Sequence, residues 1–306
     1  MNKLIHGNCL DELKKLPDNS IDLVLTDPPY FIHNLDSGWS KERIDSDIKN
    51  SHIKNLPKGM KYSKNQVKEL FYFYKEVSEL VYKKLKPGGY FLSFSAPRLY
   101  HSIAMAKEIA GFEVRDMINW VYTQSIPKGM SVNHIIDRMD ITDTQKKELK
   151  KEYSGFKTPQ LKSCHEPICV AMKPIGVTFI QNELNFRTGL LDFNQKVGIN
   201  HDKVPANIIV TEDFDEIYTK NFLIGKPSKK EKGENNHITV KPIKLLVHLI
   251  KIFSKEGSLV VDPFMGSGST ILACKSTNRT YIGIEIEKEY WSISRSRLTS
   301  ELESCL

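Results

Sequence analysis

Two short strings in this sequence combine residue types that can do chemistry. The first is Asp27-Pro28-Pro29-Tyr30, which follows an apolar, branched run at residues 20–26. Consecutive prolines donate no backbone hydrogen bond, so a strand entering this string must end there and the chain must leave it rigidly. The turn then presents one carboxylate, fixed carbonyls and one aromatic face. Such a set suits a planar base carrying an amino group: Asp27 and the Pro28 carbonyl accept the two amino hydrogens, and Tyr30 stacks on the ring. Accepting both hydrogens leaves lone-pair density on the nitrogen and makes it a better nucleophile. The second string is Asp262-Pro263-Phe264-Met265-Gly266-Ser267-Gly268-Ser269-Thr270. Its two glycines let the backbone approach a ligand closely, and Ser269 and Thr270 start a helix whose free N–H groups suit a carboxylate.

The elements that must hold these strings follow from the apolar pattern. Residues 20–26 have the length and branching of a buried parallel strand, and its carboxyl edge is where open α/β sheets bind ligands. Residues 257–261 read as a second buried strand, and an apolar helical run starts at Ile271. A strand, a Gly-rich turn and a helix together bind a nucleotide-like cofactor. The next strand, Thr280-Tyr281-Ile282-Gly283-Ile284-Glu285, ends in an acid placed to grip ribose hydroxyls. A dinucleotide is disfavoured because the G-x-G-x-x-G spacing is absent, position 271 being Ile. Phe71-Tyr72-Phe73-Tyr74 opens a helical run and reads as core rather than a stacking platform, as do Tyr290 and Trp291; His101 and His248 sit in helical patterns and need no catalytic role.

A chain of 306 residues, 40% hydrophobic and 26% charged, suits one large α/β domain with an insertion, or two smaller domains. No run of about 18 apolar residues occurs, and Met1-Asn2-Lys3-Leu4-Ile5-His6 lacks the apolar stretch of a signal peptide, so a cytoplasmic protein without a membrane segment is expected. Five scattered cysteines, an odd number, argue for reduced thiols. Cys164, His165 and Cys169 lack a second ligand pair, and no metal is expected. The net charge of +7 is compatible with a polyanionic partner. Residues 48–68 hold Lys49, Lys54, Lys58, Lys61, Lys64 and Lys68 without one acid, which reads as a basic loop.

Asp27-Pro28-Pro29-Tyr30 resembles the catalytic tetrapeptide of the amino-methylating DNA methyltransferases, and residues 262–270 resemble their S-adenosylmethionine motif. The order, catalytic motif first and cofactor motif last, is similar to that family's beta group. His6-Gly7-Asn8-Cys9-Leu10 resembles the strand end that contacts the cofactor adenine, with Asn8 where Asp is common. Lys86-Pro87-Gly88-Gly89 before residues 90–94 resembles the family's helix-turn-strand element. His237-Ile238-Thr239-Val240-Lys241-Pro242 resembles the segment ahead of the cofactor strand, with Ile238 where Pro is usual.

The resemblance implies an α/β fold: a Rossmann-like S-adenosylmethionine-dependent methyltransferase sheet in circularly permuted motif order, with an inserted target-recognition region. Residues 1–124 would be the catalytic half, 125–235 the target-recognition region, split around 164–174, and 236–306 the cofactor half. Asp27, Pro28, Pro29 and Tyr30 would be catalytic. Asn8, Cys9, Asp27, His237, Thr239, Lys241, Asp262, Phe264, Gly266, Ser267, Gly268, Ser269, Thr270 and Glu285 would hold S-adenosylmethionine. The implied substrate is double-stranded DNA with its target base flipped out, Lys54, Lys58, Lys61 and Lys64 being the candidates for phosphate contacts and Arg138, Lys157, Arg187 and Lys203 for base edges. A homodimer, a cognate restriction endonuclease and a bacterial or phage origin are implied as well. Asp at position 27 leans to N6 of adenine; N4 of cytosine, RNA or a protein amide, and a catalytically silent nucleic-acid-binding relative stay open. Intact Asp27, Tyr30, Asp262 and Glu285 weigh against the silent relative.

Overall fold

The computed structural model describes residues 2–29, 64–122, 129–158, 161, 163–197, 203–210, 222–223 and 240–303. Nine strands, β1 Lys3–His6, β2 Ile21–Thr26, β3 Leu85–Phe94, β4 Glu113–Val121, β5 His165–Met172, β6 Ile208–Val210, β7 Phe222–Leu223, β8 Leu259–Asp262 and β9 Thr280–Glu285, form one sheet. Their order is β1-β9-β8-β2-β3-β5-β4-β6-β7. The first five in that order run parallel. β5 is antiparallel to both neighbours, and β6 and β7 extend the sheet parallel to β4.

Every residue of β2 is buried, as a parallel strand covered on both faces requires. One face packs Val24 and Phe91 against Tyr74, Val77 and Val81 of the helix Lys64–Lys84 and Ile103 of the helix Tyr100–Ile109. The other packs Leu23, Leu25, Leu92 and Trp120 against Leu245, Leu246 and Leu249 of the helix Ile243–Phe253. Asp22 is the charged member of β2. It accepts from the Leu259 N–H and the Lys86 ammonium, both at 2.6 Å, and so ties the start of β2 to β8 and β3.

β4 runs along nine residues from Glu113 to Val121, and the apolar segment around Cys169 becomes β5, paired on both sides. Of the Phe71–Tyr74 aromatics, Tyr74 is fully buried while Tyr72 is 67% exposed on the outer face of its helix. Tyr290 and Trp291 are half-buried rather than core, because the helix Lys288–Glu303 lies at the edge of the sheet beside β1, where Trp291 meets the His6 ring at 6.0 Å. His248 is buried and its imidazole is pushed down to about 4 by that burial, whereas His101 is exposed. Cys9, Cys164, Cys169 and Cys274 are free thiols.

Candidate active site

Strand side chains alternate between faces, so a residue two places beyond a core position stays on the same side. Leu23 and Leu25 face the helix Ile243–Phe253, and Asp27 continues that row past the end of β2. Leu92 and Phe94 do the same in β3, and Ile118, Trp120 and Tyr122 along β4. β5 runs the other way, so its beginning reaches this edge, and Glu166 stands two places before Ile168. One face of the carboxyl edge therefore collects Asp27, Phe94, Tyr122 and Glu166.

Lys241 enters this row from the segment just before the helix Ile243–Phe253. Its ammonium pairs with Asp27 Oδ2 and lies 3.4 Å from Glu166 Oε2 and 4.9 Å from the Phe94 ring centre. Tyr122 Oη donates to Glu166 Oε1 at 3.4 Å. Burial of Lys241 opposes its charge, but Asp27 and Glu166 more than offset this and hold the ammonium above its usual range. Burial, with Glu166 beside it, pushes the Tyr122 phenol up to about 12.

The second half of the site lies next door, because β8 is the neighbour of β2. Thr26 Oγ1 donates to Asp262 Oδ1 at 2.7 Å, and the Phe264 N–H donates to the same oxygen at 3.1 Å. Burial pushes the Asp262 carboxyl up to about 6, against the opposing hydrogen bonds from Thr26, Thr270 and the Phe264 N–H. After Asp262 the chain turns through Gly266 and Gly268, at φ 52° and 84°, into the helix Ser269–Ser276. A Cβ at Gly268 would lie 2.8 Å from Ser294 Cβ, so the turn has room for glycine only. Glu285 closes the turn from β9: its two carboxylate oxygens accept from the Gly266 and Glu287 N–H groups, each at 2.8 Å. Burial raises the Glu285 carboxyl above its ordinary range despite those donors.

On the far side of β9, Asn8 follows β1 and caps the helix Cys9–Lys15, accepting from the Leu10 N–H at 2.9 Å. Cys9 is buried, and that burial pushes its thiol up to about 12. Phe264 is half-buried against Phe73, and the Ser267 carbonyl accepts from the Arg297 guanidinium at 2.7 Å. The strand ends of β1, β9, β8 and β2 thus bring together Asn8, Glu285, the 262–270 turn and Asp27.

Tyr30, Lys54, Lys58, Lys61, His237 and Thr239 lie outside the described residues, and Lys64 is described only as the start of its helix. Arg138, Lys157, Arg187 and Lys203 are exposed. Sequence reasoning missed Thr26, Tyr122 and Glu166. The two-residue alternation outward from Leu25, Trp120 and Ile168 puts Asp27, Tyr122 and Glu166 each on the core face of its own strand; only the strand order makes those faces one.

The chain matches the DNA methylase family, that of the N6/N4 methyltransferases, over residues 21–296. It is 26% identical to the type II methyltransferase M.HindIII of Haemophilus influenzae over 317 residues, covering 99% of this chain and 96% of that protein. It is also 26% identical to the DNA adenine methyltransferase YhdJ of Escherichia coli over 308 residues, covering 96% and 82%. Among solved structures, the M1.HpyAVI–SAM complex superposes with a TM-score of 0.55 at 22% identity, covering 97% of this chain and 99% of that one, which shows a shared fold.

Proposed function

This chain belongs to the DNA methylase family, and from that premise we propose that it methylates N6 of adenine in duplex DNA, with S-adenosylmethionine as donor. The observation that carries the reading is the Thr26–Asp262 hydrogen bond of 2.7 Å. It pins the strand end bearing Asp27 against the strand end bearing the glycine turn, so the base and the donor meet at one edge. Adenine is favoured by Asp at position 27 and by the likeness to a relative named for adenine.

The donor set fits S-adenosylmethionine. Asp262 and Glu285 supply buried carboxylates beside a turn that a Cβ would fill, and the helix Ser269–Ser276 turns its N-terminus toward the same turn. In this reading Asn8 and Glu285 would contact the adenosine, and residues 266–270 would hold its amino-acid carboxylate. When bound, this cofactor supplies an electrophilic methyl group on a sulfonium sulfur. The protein's own part is to polarise and to position. Asp27 and the Pro28 carbonyl accept the amino hydrogens of the base, and the stiff Pro28-Pro29 turn keeps both acceptors in place. Positioning of two reactants contributes about 7–11 kcal/mol at best. A flipped base costs a few kcal/mol to unstack, which stacking on Tyr30 and phosphate contacts from Lys54, Lys58, Lys61 and Lys64 would offset.

A homodimer, a cognate restriction endonuclease and a cytoplasmic location belong to the same proposal. Among the described residues no helix is long and apolar enough to cross a membrane.

The test is transfer of labelled methyl from S-adenosylmethionine to mixed-sequence duplex DNA by wild type and Asp27→Ala, followed by nucleoside analysis. Label in N6-methyladenine that disappears in the variant is the expected result. Label in N4-methylcytosine would overturn the base assignment. No label in DNA while the cofactor binds would overturn DNA as substrate.

A further inference from the structure

We propose that Lys241 is a positioning residue for the Asp27 carboxylate, and that Glu166 is the counter-anchor that holds Lys241 there; this rests on the methyl-transfer reading of the site. β2 and β5 are separated by β3. At about 4.8 Å per strand spacing, Asp27 and Glu166 start from backbones roughly 10 Å apart, and as two carboxylates, both acceptors, they need a donor between them. The Lys241 ammonium spans that gap, pairing with Asp27 Oδ2 and standing 3.4 Å from Glu166 Oε2. Its own backbone is fixed by Pro242, which caps the helix Ile243–Phe253 at φ −62°.

Stability does not explain the trio. A buried ion pair roughly breaks even against apolar residues of the same volume, because desolvation offsets the attraction. Lys241 is 7% exposed, and Glu166 Oε2 is buried with no hydrogen-bond partner among the described residues, standing 3.4 Å from the Lys241 ammonium. What the arrangement does supply is orientation. An ammonium on Oδ2 fixes the plane of the Asp27 carboxylate, and an acceptor for an amino hydrogen must be held within about 0.5 Å and 10–20° to be useful. The trio also sums to one negative charge, the sign that suits a cationic sulfonium nearby. Tyr122 steadies the far end by donating to Glu166 Oε1.

The test compares wild type, Lys241→Met and the double variant Lys241→Met/Glu166→Gln in melting temperature, cofactor Kd, KM for DNA and kcat. Lys241→Met leaves two carboxylates facing each other and should melt lower, with kcat down about 100-fold, the scale of an ångström's misplacement. The double variant removes the repulsion and should melt within about 2 °C of wild type. Its kcat should stay at least tenfold low, while cofactor Kd and KM for DNA remain within about threefold. Recovery of kcat together with the melting temperature would make the trio merely structural and overturn the proposal. So would weakened cofactor binding at unchanged kcat, which would assign Lys241 to the cofactor. If Lys241→Met does not fold, the double variant alone decides. Failure of the underlying reading shows separately, as wild-type protein that binds cofactor but methylates no DNA, and removes this inference with it.

Discussion

Thr26→Val tests how the two strand ends are joined. Valine keeps the branched shape and deletes the hydroxyl that donates to Asp262 Oδ1 at 2.7 Å. Thr26 and Asp262 are 1% and 3% exposed, so no solvent replaces the lost donor. The size of the loss depends on whether Asp262 is ionised, and burial sets that point at about 6. At pH 8 the carboxylate is charged, and a hydrogen bond to a charged group contributes about 1.5–3 kcal/mol. At pH 5 the folded carboxyl is protonated and the bond joins neutral groups, contributing about 1 kcal/mol. The same sign follows from linkage. A folded carboxyl titrating near 6, against an ordinary value of 3.8, binds its proton more tightly than the unfolded chain does. Stability therefore falls as pH rises between those values, and removing a donor to the ionised form widens that fall. Paired urea unfolding of wild type and Thr26→Val should show a loss of about 1 kcal/mol at pH 5 growing to about 2 kcal/mol at pH 8. A loss below about 0.5 kcal/mol at both pH values, or a larger loss at pH 5, would refute the reasoning.

Three further outcomes follow from the same geometry. Gly268→Ala puts a Cβ 2.8 Å from Ser294 Cβ at φ 84°, so it should lose about 2–4 kcal/mol in unfolding and bind S-adenosylmethionine more weakly by calorimetry. Glu285→Gln must turn its amide NH2 toward one of the two N–H groups that the carboxylate now accepts from; cofactor Kd should rise about tenfold or more, since an unmatched buried donor costs about 1–3 kcal/mol. Lys107 is fully buried, donates to the Phe91 and Cys169 carbonyls at 2.7 and 3.1 Å, and burial brings its ammonium down to about 8. The unfolded chain then holds that proton more tightly, so Lys107 favours folding increasingly as pH rises from 8 toward 10.5. The stability difference between wild type and Lys107→Met should grow by about 2 kcal/mol from pH 7.5 to 9.5, and a flat difference would reject that role.

The elements around the site were legible where chemistry is local. Pro28-Pro29 ends β2 because prolines cannot continue a ladder, and Gly266 and Gly268 mark the turn because their backbone adopts positive φ. β9 announced itself by a branched run ending in Glu285. What stayed hidden depends on partners distant in the chain. Nothing in the sequence of β5 says that it inserts between β3 and β4, which is what carries Glu166 to the face of Asp27. Lys241 read as part of a cofactor segment because its pairing with Asp27 exists only after folding. The helix Asp143–Glu152 buries no residue, so apolar periodicity missed it; its capping box, Thr142 with Gln145, was the available signal. Tyr290 and Trp291 were read as core from a helical pattern, yet they sit on a helix at the edge of the sheet, where part of their surface stays exposed.

The strand order has a consequence for when activity can arise during synthesis. Among the described residues β1 has β9 as its sole neighbour in the sheet, and β2 needs β8 to close its other side. Until residues 259–285 have left the ribosome, Asp27 has no Asp262 beside its strand end and Asn8 has no Glu285. A chain without residues 259–285 thus lacks the acidic partners of both strand ends, and the paired site requires β8 and β9 to be in place.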